Sequence, residues 1–267
     1  MAADCPYGRC DGSGFIEDEA RRVAIPCACR PTRIARRKAA AVAGRIPARF
    51  RGVSFDREPV PSIGRANPVV LRAVRDYVRR INEHLDAGRG LWFAGDVGTG
   101  KTTLAMLISK SAMEGGRTVA IYSLPRLLGL LRDSYDDSTS YTLTGLIDRL
   151  CAVDLLHIDD VGAEQTTPWV LEQLYTIINT RYEDGRAVVV TTNLITQEEH
   201  DQPLRDQIGD RTVSRLHEIC GEVLPLFGHD HRLDAHFDLP PAPDPDPAPD
   251  EDGLGYGRPL PRPFRAA

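Results

Sequence analysis

Lysine is almost missing from this chain of 267 residues: Lys38, Lys101 and Lys110 stand among 33 basic side chains, and arginine serves everywhere else a cation occurs. Apolar runs of membrane-spanning length, about 18 residues, are missing too, and the N-terminus lacks the apolar stretch of a secretory leader, so a cytoplasmic protein that neither spans nor binds a membrane is expected. Acids are missing between Ala20 and Arg51, where ten basic residues fall, and cations are missing between Leu233 and Asp252, where only acids fall. The net charge of -5 therefore conceals a basic arm near one end and an acidic segment near the other. What is present in ordinary amount is apolar matter, 42%, enough at this length for one sizeable α/β domain with smaller appendages.

Composition divides the chain into a Cys-bearing start (1–31), a basic linker (32–55), a body (56–232) and a tail (233–267). The tail carries Pro240, Pro241, Pro243, Pro245 and Pro247 among acids; proline removes backbone donors and little apolar surface is left to bury, so a disordered segment is expected. In the body, helical spacing predicts helices over 69–85, 103–113, 124–132, 143–150, 170–182 and 205–219. Apolar and β-branched runs predict strands over 91–94, 118–122, 154–158, 187–191 and 223–227. Strands alternating with helices imply an α/β fold, a parallel sheet flanked by helices on both faces.

Gly95-Asp96-Val97-Gly98-Thr99-Gly100-Lys101-Thr102 has the spacing GxxxxGK[ST] between a strand and a helix. Glycines let successive N–H groups turn inward around phosphate oxygens, and the following helix aims its positive end at the same anion. The expected ligand is ATP, held by Gly95 to Thr103, with Lys101 at the β and γ phosphates and Thr102 supplying a hydroxyl to Mg2+. A later apolar strand ends in Asp159-Asp160, at the edge where open α/β sheets bind ligands. Asp159 is expected to hold the magnesium through water and Asp160 to act as general base on the attacking water. The His157 imidazole, by contrast, reads as packed among apolar neighbours. After the next strand Asn193 brings an amide to the same edge, either to position the lytic water or merely to form a turn. Arg211 and Arg215 lie four apart on one helical face, either as cations acting at phosphate, in trans from a neighbouring subunit, or as a surface pair.

Taken together, these residues resemble a family: the DnaC/DnaI-type bacterial replicative helicase loaders, a clade of AAA+ ATPases that includes the IstB-type transposition helpers. The resemblance covers Ile46 to Phe227 and rests on Ile46 to Arg51 before Ser54-Phe55, the glycine loop, Val153 to Gly162, Thr191-Thr192-Asn193, and Gly209 to Arg211 with Arg215-Leu216. It implies an AAA+ fold, slow ATP hydrolysis stimulated by assembly or DNA, Asn193 as first sensor, Arg215 as arginine finger and Arg211 as a supporting cation. It further implies self-association and, as partners, a hexameric replicative helicase and single-stranded DNA. The IstB-type alternative assembles on DNA and recruits a transposase; a small-molecule phosphotransferase and a non-hydrolysing adaptor are more distant readings. In the DNA-contacting place of that clade stand Arg126, Arg132, Tyr135 and Tyr141, but Asp133, Asp136 and Asp137 beside them fit a solvated helix and loop as well.

Cys5, Cys10, Cys27 and Cys29 form two close pairs in a compartment expected to be reducing. Four thiolates suit a structural zinc ion, which a module this short needs in place of a core. The spacing of both pairs departs from the usual CxxC, and free thiols or a module that is not ordered are the alternatives. Cys151 and Cys220 read as structural. The basic linker, with Ile34, Ala35, Ala39 and Val42 among its cations, suits either a partner helix or nucleic acid.

Overall fold

The computed structural model describes residues 5, 7–18, 23–31, 33–34, 46–134, 142–162, 167–194 and 202–231. The tail, residues 32 and 35–45 of the basic linker, and Tyr135, Asp136, Asp137 and Tyr141 lie outside the described residues.

Two strands, β1 (Phe15–Asp18) and β2 (Val23–Pro26), pair antiparallel as a small sheet near the start of the chain. The body opens with α1 (Val60–Ala66), α2 (Pro68–Arg79) and α3 (Ile81–Asp86). Strand β3 (Leu91–Gly95) leads to α4 (Lys101–Glu114), then β4 (Val119–Ser123), α5 (Leu124–Asp133), α6 (Leu143–Ala152), β5 (Leu155–Val161), α7 (Pro168–Glu183) and β6 (Ala187–Thr192). The described chain closes with α8 (Gln202–Ile208), α9 (Asp210–Cys220) and β7 (Leu224–Leu226). Local chemistry marks several helix starts: Thr142 and Thr167 accept from Gly145 and Val170 N–H groups as N-caps, and proline occupies the first turn of α2, α5 and α7.

The larger sheet has five strands in the order β4-β5-β6-β3-β7, and every pairing is parallel. This is the expected α/β architecture. Strand alternation sorts the core into two layers. Trp92, Leu156, Ile158, Val188 and Val190 face α5, α6, α7 and α9, whereas Phe93, Leu155, Ala187 and Val189 face α1 to α4. Among the described residues no helix is long and apolar enough to cross a membrane.

Three elements differ from the sequence reading. The helix expected over 69–85 is two, breaking at Arg80, whose φ of -112° and ψ of 32° leave helical geometry. The helix expected over 205–219 is also two, because Gly209 takes a φ of 85°, which a side chain resists. The strand expected to stop at Ile158 runs on to Val161 through an irregularity in its pairing with β6, and Asp160 there has a φ of 62°. A φ of that sign is uncommon outside glycine and turns the Asp160 side chain out of the strand's alternation.

Buried polar groups brace this sheet. Arg181 of α7 is fully buried and donates to five carbonyls, those of Leu150, Cys151, Val153, Asp154 and Ala187. It thereby joins the end of α6, the entry to β5 and the entry to β6, and burial lowers its pKa to about 10. Cys151 and Cys220 are buried as expected, with burial pushing both thiols up, Cys151 to about 11.

Candidate nucleotide site

Parallel strands all end on one side of the sheet, so the segments following β3, β5 and β6 converge there. The glycine loop leaves β3 with positive φ at Gly95, Gly98 and Gly100 (141°, 80° and 99°) and enters α4. Lys101 is buried, and its Nζ donates to the carbonyls of Gly95 and Asp96, both at 2.7 Å. The ammonium is thus held inside the loop's own curve. Thr99 is buried as well and donates to the Asp96 carbonyl at 2.9 Å.

From α4, Thr102 donates its hydroxyl to both carboxylate oxygens of Asp159, at 3.0 and 3.2 Å. Thr191 on β6 donates to Asp159 Oδ1 at 2.7 Å while its oxygen accepts from the Asp160 N–H at 2.8 Å. Burial opposes the charge on Asp159, yet contacts with His157, Thr191 and Thr102 outweigh it and hold the carboxyl below its ordinary range. Asn193 donates Nδ2 to Asp160 Oδ1 at 2.9 Å. The structure therefore brings together Thr102, Asp159, Asp160 and Asn193 beside the loop, as the sequence spacing suggested. A hydroxyl paired with a carboxylate is a donor set suited to magnesium, which takes few protein ligands and keeps its waters. A basic nest of N–H groups plus a lysine suits the phosphates.

One neighbour of the loop went unnoticed in the sequence. Past β7, Phe227 exchanges two hydrogen bonds of 2.8 Å with the Asn67 side chain, and the chain returns across the loop so that His231 N–H donates to the Gly98 carbonyl at 3.1 Å. The Asp230 carboxylate then lies so close to Gly98 that a Cβ there would overlap it. No motif announces this contact, since it depends on where β7 pairs.

Arg211 and Arg215 both stand on α9, with Leu216 and Ile219 buried behind them as expected. Arg211 is exposed. Arg215 donates to Asn179 at 3.0 Å and Glu218 at 2.6 Å and lies over the Tyr182 ring at 4.3 Å. Those partners belong to α7 and α9, so this chain's own phosphate loop is not among them. On α5, Arg126 is exposed and Arg132 lies over the Trp169 ring at 5.2 Å.

At the start of the chain, the β1–β2 hairpin carries two Cys pairs to one point. Cys5, Cys10, Cys27 and Cys29 place their sulfurs within 4.8 Å of one another, with Cys5–Cys27 at 3.7 Å and Cys10–Cys29 at 3.5 Å, and none is in a disulfide. Tetrahedral zinc thiolates, with bonds of about 2.3 Å, put sulfurs ~3.8 Å apart. The Arg9 N–H lowers Cys5 to about 6, while burial and the neighbouring thiols push Cys29 up to about 12. Four sulfurs this crowded oppose one another's ionisation unless a cation lies between them, so the donor set fits zinc.

Comparison with known proteins gives a consistent answer. The sequence profile of the IstB-like ATP binding protein family matches residues 80–236, more than half of the chain. The uncharacterized protein YdaV of Escherichia coli is 31% identical over 124 residues, 46% of this chain and 47% of its own. The replicative helicase loader DnaC of Buchnera aphidicola is 25% identical over 167 residues, 62% of this chain and 64% of its own. The chain thus spans about half to just under two thirds of these relatives' lengths. Among solved structures, the crystal structure of the DnaC helicase loader superposes with a TM-score of 0.53 at 25% identity, covering 62% of this chain and 99% of that one. Strand order, phosphate loop, acidic strand end and sequence profile agree: this chain has the AAA+ ATPase fold and belongs to the IstB-like ATP-binding protein family.

Proposed function

We propose that this protein loads a replicative DNA helicase onto single-stranded DNA as an ATP-hydrolysing switch. The observation that carries the chemistry is the contact of Thr102 with Asp159, a hydroxyl and a carboxylate joined at the mouth of a glycine loop. The similarity to proteins named as helicase loaders supports the biological role.

Each residue then has a task. Gly95 to Thr103 bind ATP, the loop N–H groups and α4 N-terminus taking the phosphates and Lys101 exchanging its two carbonyls for phosphate oxygens. Magnesium, when bound, neutralises charge between the phosphates. Thr102 and Asp159 hold it. Asp160 orients and deprotonates the attacking water, and Asn193 keeps that carboxylate turned toward the site. Arg215, with Arg211 beside it, serves the phosphates of a neighbouring copy, so hydrolysis depends on assembly. The Cys5, Cys10, Cys27 and Cys29 cluster binds a structural zinc ion and, as a module of residues 1–31 with the basic linker 32–55, contacts the helicase; 56–232 is the ATPase domain and 233–267 a separate tail.

Mixing the protein with its source's replicative helicase tests the reading, by native mass and by loading onto circular single-stranded DNA. A complex whose loading requires Lys101 and Arg215, and fails with K101A, is the expected result. The family profile is named for IstB-like proteins, so a second outcome has a defined meaning: no helicase binding, with ATP-dependent filaments on duplex DNA, assigns the chain to transposition instead.

A further inference from the structure

Strand β5 is apolar except for one position before its acids. His157 is fully buried, on the strand face shared by Leu155 and Asp159, because side chains two apart point the same way. That face meets α4. There Ser109, also fully buried, lies two helical turns beyond Thr102, so the helix presents two hydroxyls to two acceptors: Thr102 to Asp159, and Ser109 to His157 Nδ1 at 3.0 Å. The other ring nitrogen, Nε2, has no hydrogen-bond partner, yet it is buried and sits 3.8 Å from Asp159 Oδ1.

A buried ring nitrogen without a partner is costly, and a histidine offers a serine nothing that leucine packing does not replace more cheaply. Tautomer logic gives the arrangement a direction. A lone pair on Nε2 would face a carboxylate oxygen, so the proton resides on Nε2 and the Ser109 hydroxyl donates to Nδ1. The N–H then lies 3.8 Å from Asp159 Oδ1, which also accepts from Thr191 and Thr102, whereas Oδ2 receives only the longer Thr102 contact of 3.2 Å among the described residues.

We propose that His157, oriented by Ser109, is a positioning residue for the Asp159 carboxylate: its Nε2–H faces Oδ1 of Asp159 and holds that oxygen electrostatically, so that Oδ2 would stay available to magnesium. The proposal rests on the reading of this site as a magnesium–ATP site. Metal sites depend in general on such outer partners, whose loss costs about 10–100-fold in metal affinity.

The test uses the full chain and a fluorescent ATP analogue, first in EDTA and then titrated with Mg2+. Glutamine at 157 keeps a donor at the Nε2 position, asparagine keeps only the bond to Ser109, and methionine keeps neither. All three variants, and S109A, are expected to bind the analogue in EDTA within about two-fold of wild type. H157N and H157M are expected to need about ten-fold more Mg2+ for half-saturation, with H157Q within about three-fold and S109A between. A wild-type Mg2+ response in H157M, or an equal loss in H157Q and H157M, reduces His157 to packing and overturns the proposal. Failure of the wild-type protein to bind the analogue at all removes the nucleotide reading itself, and with it the proposal.

Discussion

Asn193 Nδ2 and Asp160 Oδ1 meet at 2.9 Å across the ends of β6 and β5, although neither side chain lies in the regular part of its strand. Asp160 adopts a φ of 62° within the irregularity in β5, out of the strand's alternation. An acid in ordinary alternation would point elsewhere. Asp160→Asn is expected to lower ATP hydrolysis by about 100-fold or more while leaving analogue binding intact. Asn193→Ala is expected to lower it less, about ten-fold, because the carboxylate remains but loses its orientation. Single-turnover hydrolysis measures both; retained turnover in Asp160→Asn would remove the general-base role.

Arg215 is held by Asn179, Glu218 and Tyr182, none of which belongs to its own chain's phosphate loop. On the proposed reading it acts on the phosphates of a second copy. Arg215→Ala is expected to reduce assembled turnover by about 10³-fold without changing ATP affinity. Mixing it with Lys101→Ala, which retains the finger but not the pocket, is expected to restore part of the activity. Mixtures no more active than either variant would place the arginine's role within one subunit.

Arg181 satisfies five carbonyls from three elements, a task that a lysine ammonium with three donors cannot repeat. Arg181→Lys is expected to destabilise the fold by about 3 kcal/mol, read from urea unfolding, because buried acceptors lose their donors. A loss under ~1 kcal/mol would mean that water replaces the guanidinium.

For the Cys cluster, metal analysis of protein purified without chelator is expected to give about one zinc per chain. Cys27→Ser is expected to abolish it and to leave the ATP-dependent properties of the body in place, since the four cysteines flank the β1–β2 pair and lie outside the larger sheet. Metal-free protein with four titratable thiols would support the free-thiol alternative.

The charge on Asp159 gives a pH dependence of defined sign. Its folded pKa lies below the unfolded value of about 3.9. The resulting stability is fully present above that unfolded value and is lost as pH falls through the folded one. Wild type is thus expected to exceed Asp159→Asn in stability at about pH 6, with the gap shrinking toward pH 3. A gap that widens on acidification would reverse the assignment.

Much of this site was legible before the fold. Glycine-loop spacing carries its own geometry, since a strand, a turn of small residues and a helix are local features; Thr102 and Asp159 meet as expected because parallel strands end together. What escaped was non-local. His157 reads as one polar residue in an apolar run, and only Ser109 across the helix interface gives it a role. Asp230 reaches Gly98 because of a strand pairing that no motif encodes. Gly209 was a visible signal, as glycine costs about 1 kcal/mol inside a helix, but the apolar period continued through it and masked the break. The turn in β5 at Asp160 had no signal of composition at all.

The strand order has a consequence for how the protein is made. β3, which ends in the phosphate loop, lies between β6 and β7, pairing Leu91 with Val189 and Phe93 with Leu224. Both neighbours are synthesised long after the loop, so the ribosome releases the motif first and the walls that shape it last. Such a topology is rich in distant pairings and slow to close. A chain ended early, even with every residue from Gly95 to Asn193 intact, lacks one flank of β3 and is expected to emerge unable to bind nucleotide.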